Sequence, residues 1–169
     1  NNGIYVRGKQ QFINNNSSLR QKWWDWPANY HLRGKNSERD IYFNYTESNY
    51  QFASMAKAKI HGNKTRAFPQ KSLLVKFPKK EKKPEFFYNS ILLRNSGNDW
   101  GRTLFADALA HQIMSNAPLD VQPYRHVVVY INNEYWGIHN LTLKTDEDYI
   151  AKQYGYKKKH ITIIESKGL

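Results

Sequence analysis

The residues carrying most chemistry per position lie between Lys57 and Phe77. His61, Gly62, Asn63, Lys64, Thr65 and Arg66 gather a flexible backbone, amide and hydroxyl groups and two fixed positive charges into one turn, and Lys71 follows at the head of the next apolar run. Donors of this kind hold oxygen-rich anions, phosphates above all. The same residues also describe a basic hairpin on a solvated edge, the commoner use of a lone glycine in a polar loop. Both readings stand at this level. A second constellation, Arg94-Asn95-Ser96-Gly97-Asn98-Asp99, supplies an arginine, two amides, a hydroxyl and a carboxylate within one loop. Arg94 serves a site or neutralises a neighbouring carboxylate with about equal weight, whereas Asp99 more often caps the helix that follows. The acidic run Asp146-Glu147-Asp148 is what a helix start attracts without any metal. Gly137, after Glu134-Tyr135-Trp136, marks a bulge or a close backbone approach, with Trp136 expected in the core.

Several chemistries are excluded. Cysteine is absent, which removes disulfides, thiolate metal sites and a thiol nucleophile. The six histidines are scattered without zinc-ligand spacing. The chain has no Gly-x-Ser-x-Gly elbow and no Walker-type phosphate loop. No apolar run reaches the ~18–20 residues of a membrane-spanning helix. Lys and Arg total 26 against 14 Asp and Glu, a formal charge of +12 that favours polyanions of any kind. The clusters Lys79-Lys80-Glu81-Lys82-Lys83 and Lys157-Lys158-Lys159 do not interleave aromatics with basic residues along a strand, which argues against a single-strand nucleic-acid platform.

The elements that must position these groups follow from periodicity. Ala56, Ala58 and Ile60 alternate with Lys57, Lys59 and His61, and Leu73, Val75 and Phe77 alternate with Ser72, Leu74 and Lys76. This is the period of half-buried strands, here spanning residues 56–61 and 70–77. Further strands are expected at residues 3–6, 41–45, 90–94 and 161–164. Residues 126–131 and 134–143 form a hairpin around Asn132-Asn133, which tolerates positive φ. Leu104, Phe105, Ala108, Leu109 and Ile113 recur at helical spacing between Arg102 and Met114, with Asp99 or Thr103 as cap. A second helix is expected from Asp146 to Tyr154, with Thr145 and Asp148 as a short-armed capping box and Gly155 as its stop. The cluster Trp23-Trp24-Asp25-Trp26 reads as a packed lid or as a stacking platform for a sugar or base. One α+β domain over residues 1–169 results, with an irregular lead-in to residue 40 and then a mainly antiparallel sheet with two or three helices.

Taken in order, Gly3-Ile-Tyr-Val6, Ile60-His-Gly-Asn63, Arg66, Phe68-Pro-Gln-Lys-Ser-Leu73, Leu92-Leu-Arg-Asn-Ser-Gly-Asn-Asp99, Asp107-Ala-Leu109, Gln122-Pro-Tyr-Arg125, Val127-Val-Val129, Asn133-Glu-Tyr-Trp-Gly-Ile-His-Asn-Leu141 and Asp146-Glu-Asp-Tyr149 resemble the spore-coat protein H (CotH) kinase-like family, in its long-chain Bacteroidetes form. The resemblance implies the N-terminal lobe of an atypical protein-kinase-like fold. It also implies ATP with Mg²⁺ as cofactors, and transfer of the γ-phosphoryl to Ser or Thr of exported proteins at a bacterial cell surface or beyond it. By that likeness Lys71 meets the ATP phosphates, with Arg66, His61, Gly62 and Asn63 nearby, and Arg94 and Asp99 form a further polar site. Three departures stand out. Thr142 and Leu143 occupy the place of the family's Arg-Glu pair, Ala106 replaces an arginine, and no Asp lies beyond Asp148. The metal-binding and catalytic aspartates are expected in a second lobe, so these residues alone are expected to be inactive in transfer. Two rival readings follow: a pseudokinase-like surface module for a glycan or another protein, favoured by the tryptophan cluster, and an electrostatic nucleic-acid binder driven by the net charge.

Overall fold

A computed structural model of the chain describes residues 28–84 and 86–164. The strand expected at residues 3–6 and the Trp23–Trp26 cluster lie outside the described residues. Among the described residues the first strand begins at Arg39, after two single-turn 3-10 segments at Asn29–His31 and Lys35–Ser37. Six strands form one sheet: β1 (Arg39–Glu47), β2 (Tyr50–His61), β3 (Ser72–Lys76), β4 (Ser90–Arg94), β5 (Tyr124–Ile131) and β6 (Glu134–Leu143). Their order across the sheet is β1-β2-β3-β4-β6-β5, and every neighbouring pair runs antiparallel. Helix α1 (Ala106–Ile113) connects β4 to the β5–β6 hairpin, and α2 (Glu147–Tyr154) follows it. The lobe is α+β with a mainly antiparallel sheet, as its periodicities imply.

Alternation divides the sheet into two faces. One face buries Ala58, Ile60, Leu73, Val75, Ile91, Leu93, Leu141 and Leu143. It is closed by a ring cluster in which Phe43, Phe52, Phe77 and Phe87 meet edge-on, tilted or stacked at 5.2–6.3 Å, mostly in the edge-on arrangement that aromatic quadrupoles favour. Tyr149 of α2 seals the same core. The sheet curls far enough for Arg125 of β5 to pair with Glu47 of β1. The other face carries Lys57, Lys59 and His61 of β2, Ser72 and Lys76 of β3, and Arg94 of β4, with Leu74 and Leu92 buried between them. Lys57 and Lys76 lie directly opposite one another, a repulsive placement. Asp40 relieves it at 2.6 Å from Lys57, and Glu38 at 2.5 Å from Lys76.

The hairpin turn at Asn132 and Asn133 has φ of 52° and 66°, the primed geometry expected of Asn-Asn. Gly137 has φ of 112° where the β5–β6 register shifts, so the bulge expected there is present. The start of α2 is corrected. Asp146, and not Thr145, is its cap, accepting from the backbone N–H groups of Asp148 and Tyr149 at 3.1 Å. Helix α1 is shorter than its apolar period suggested. Residues 161–164, expected as a strand, pair with no described strand, although their β-branched content is high.

Candidate functional site

The basic face of the sheet holds an open cleft of about 600 Å³, within the usual range for a small-ligand site. His61 and Gly62 end β2 at one wall, Ser72 begins β3, and Arg94 ends β4. Lys144, one residue past β6, adds a further cation, and Leu92, Ile163 and Ile164 supply apolar surface. A neighbouring cavity of about 480 Å³ shares Thr65, Arg94 and Gly97 with the cleft and carries Asp99, Arg102 and Asp107.

Local sequence explains the walls. Gly62 has φ of 108°, and a Cβ there would stand 2.7 Å from Thr65 Oγ1. Only glycine lets the backbone fold back so closely under that hydroxyl. At the opposite wall Asn95 is buried, and its side chain fixes the loop. It accepts from Ser72 Oγ at 2.7 Å and from Gly97 N at 3.1 Å, and donates to Gln70 O at 2.7 Å. Asn140 donates to Ser96 Oγ and to Leu104 O, each at 2.8 Å. These bonds hold Ser96 at φ 68°, a left-handed conformation that a serine adopts only when its surroundings impose it.

Arg94 is the best-positioned charge. Its Nη2 lies 2.7 Å from Asp107 Oδ2, in the first turn of α1. Asp99 reaches the same helix start, accepting from Thr103 Oγ1 at 2.5 Å and from Ala106 N at 3.1 Å. These bonds lower its carboxyl below the usual range, Thr103 first. Asp99 thus satisfies the first N–H of α1 from a distance, but neither it nor Thr103 is the cap residue expected: Phe105 holds that position, with no side-chain cap bond. A void of about 10 Å³ lies behind the ion pair, lined by Asn140 and Thr142. Thr142, one of the two family departures, thus faces the ion pair. Leu143, the other, lies in the apolar core.

The expected turn site is split between the two faces of the sheet. His61 and Gly62 line the cleft, whereas Asn63 is exposed and its Oδ1 accepts from Arg33 at 3.4 Å. Arg66 is buried and donates to three backbone carbonyls, Tyr30 at 2.8 Å, Ile60 at 2.7 Å and Leu32 at 2.6 Å. Lys71 is also buried. It donates to Phe68 O at 2.5 Å, and its ammonium stands 4.4 Å from the Tyr30 ring centre. Burial first, and Arg66 second, lower its pKa to about 8. Lys71 shares its side of the sheet with Leu73, so alternation turns it away from the face on which Ser72 and His61 meet the cleft. Sequence reasoning missed Asp107, Lys144 and Gln122 as partners of this region. A basic residue ending a strand, followed by an acid in the first turn of the next helix, was the available signal for Asp107.

The donors around the cleft suit phosphate oxygens, and the pairing of a strand-end cation with a helix carboxylate is a kinase-like device. Comparison with protein families bears on the same region. The profile described as CotH kinase protein matches residues 58–167, more than half of the chain. The chain belongs to the CotH kinase family. No curated protein matches it. The CotH match starts inside β2 and runs through β3, β4, both helices and the hairpin, so it includes every wall of the cleft described above.

Proposed function

We propose that this CotH domain holds the phosphate chain of ATP in the cleft on its basic face, as the nucleotide-lobe part of an exported bacterial phosphotransferase directed at Ser or Thr. The observation that carries this reading is the Arg94–Asp107 ion pair at the cleft wall. In protein kinases a strand lysine is aimed at the phosphates by a helix glutamate. Here a strand arginine and a helix aspartate stand in that relation, and one bond to Asp107 leaves other guanidinium N–H groups for phosphate oxygens. His61, Thr65 and Lys144 add donors, and Leu92, Ile163 and Ile164 offer an apolar wall to a base.

ATP fits this donor set; magnesium does not. A bound magnesium ion would supply charge neutralisation on the phosphates during transfer. Among the described residues no three His, Asp or Glu side chains come together as a metal site, and the charged groups lining the cleft are cationic or neutral. The domain is therefore read as gripping nucleotide, with transfer incomplete in these residues.

Thermal unfolding with millimolar ATP tests the reading. A ligand bound only by the folded state stabilises it by about 2.7 kcal/mol at a hundredfold excess over Kd. ATP should raise the melting temperature of the wild type and of Lys71→Ala, the latter from a lower baseline, and should leave Arg94→Gln unshifted. No shift in the wild type overturns the proposal. A shift lost in Lys71→Ala but kept in Arg94→Gln moves the site to the other face.

A second reading, a surface module for a glycan, draws on the hairpin tip. Tyr130 and Tyr135 are 63% and 62% exposed and meet edge to face with ring centres 5.9 Å apart, so each can offer a ring to a sugar. Glycan-array binding lost in Tyr135→Ala, with the ATP shift intact, would establish it.

A further inference from the structure

Among the donors that line the cleft, His61 is the one whose charge can change near neutral pH. His61 is half-buried at its wall, opposite Ser72 in the β2–β3 register. The charges around it are all positive: Lys59 on its own strand, Arg66 from the following turn, Arg94 at the end of β4, and Lys144 beyond β6. Three of these cations are paired with carboxylates. Glu38 is 3.2 Å from Lys59, Asp107 2.7 Å from Arg94 and Asp146 3.2 Å from Lys144, while Arg66 spends its donors on carbonyls. Ser72, Asn95 and Thr65 complete the cleft beside the ring without charge.

Burial and this ring of cations hold the imidazole below the usual histidine range, burial being the larger cause. These surroundings favour the neutral ring. An anion entering the cleft reverses the local balance, because an opposite charge within a few ångströms favours the protonated ring.

We propose that His61 takes up a proton as a polyphosphate enters the cleft, so that the site binds its anion and a proton together and holds it more tightly under mildly acidic conditions. The inference rests on the reading that this cleft receives phosphate. Protonated His61 gains a second ring N–H donor and a charge, both available only while the ligand is present. Linkage fixes the sign. Uptake of up to one proton strengthens binding by up to tenfold per pH unit lowered, within the interval between the free-state and bound-state pKa of the ring.

Calorimetric titration with ATP, run at one pH in two buffers of different ionisation enthalpy, counts the protons taken up. The wild type should take up more protons than His61→Gln, by as much as one. Ionisation of ATP itself is common to both proteins and cancels. In the wild type, ring NMR of His61 should show its titration moving to higher pH on saturation with ATP, a readout that does not depend on the variant folding. ATP binding with equal proton uptake in the two proteins, or an unmoved His61 titration, overturns the proposal while leaving the cleft reading intact. No ATP binding at any pH overturns the cleft reading, and this inference with it.

Discussion

At Arg66 a single guanidinium gathers three backbone carbonyls, from Tyr30, Leu32 and Ile60. The planar fork ties the segment before β1 to the end of β2, and its burial means that water cannot replace those bonds. A lysine has the charge without the fork. Arg66→Lys should therefore destabilise the domain by about 3 kcal/mol, since each buried carbonyl left unsatisfied costs about 1–3 kcal/mol, and urea midpoints would show it. A loss under about 0.5 kcal/mol, the size of an ordinary surface change, would contradict the clamp. Lys71 makes a different prediction. Its pKa falls to about 8 in the folded state, by burial first and Arg66 second, against roughly 10.4 when unfolded. Below pH 8 both states are protonated and the penalty of the buried charge is complete. Above pH 8 the folded state gives up its proton while the unfolded state keeps it, so stability rises with pH until about 10. Urea midpoints of the wild type should climb between about pH 8 and 9.5 relative to those of Lys71→Met, whose curve lacks this contribution. Parallel curves would mean that the amine stays charged, held by Phe68 O and the Tyr30 ring.

Among the elements, the β6 bulge bears through Gln70 on the loop that carries Trp100. Gly137 sits at φ 112°, and a Cβ there would approach Gln70 Nε2 at 3.0 Å. That amide is not free to withdraw. Gln70 Nε2 donates to Ile138 O at 2.7 Å, and Gln70 Oε1 accepts from Trp100 Nε1 at 3.1 Å, on the loop that follows the Ser96–Gly97 turn. Gly137→Ala should cost about 2 kcal/mol through backbone strain and should also alter Trp100 fluorescence. Gly155→Ala, at φ 72° with open space around its Cβ, should leave that fluorescence unchanged. An equal effect of both on the indole would sever the link between bulge and loop. These elements differ in how far the sequence announced them. Strand β4 and the Asn132-Asn133 turn were legible because local chemistry alone decides them: an apolar run in one case, tolerance of positive φ in the other. The true cap of α2 was missed because Thr145 and Asp146 both satisfy the local rule, and only the chain path chooses between them. The cleft was half legible. His61 and Gly62 announce themselves by type, but alternation at the start of β3 sends Lys71 to one face and Ser72 to the other. A turn read as a single site therefore straddles the sheet. Lys144 joins the cleft through the strand order β3-β4-β6, a crossover that no local pattern encodes.

Over the whole molecule, the curled sheet gives its two faces opposite work, aromatic packing on one and cations on the other, and this bears on the meaning of +12. A surface that tracks nucleic acid presents unpaired cations along a line, and its affinity falls steeply with salt because each phosphate contact releases a counterion. Here the cations of the basic face are partnered: Lys57 with Asp40, Lys59 and Lys76 with Glu38, Arg94 with Asp107 and Lys144 with Asp146. Each carboxylate lowers the local potential and must give way before a polymer phosphate takes its place. A triphosphate in the cleft meets several of these cations at once, together with the neutral donors of Thr65, Ser72 and Asn95. Binding of single-stranded DNA should accordingly be weak, with log K falling against log salt at a slope shallower than about −2, the value for roughly three phosphate contacts. ATP, carrying its charge on one short chain, should keep measurable affinity at about 0.15 M salt, where charges farther apart than about 8 Å are screened. Filter binding of an oligonucleotide and calorimetry of ATP over the same salt series decide between the two. A steep slope for DNA, with ATP unbound, would assign the basic face to nucleic acid and remove the nucleotide cleft.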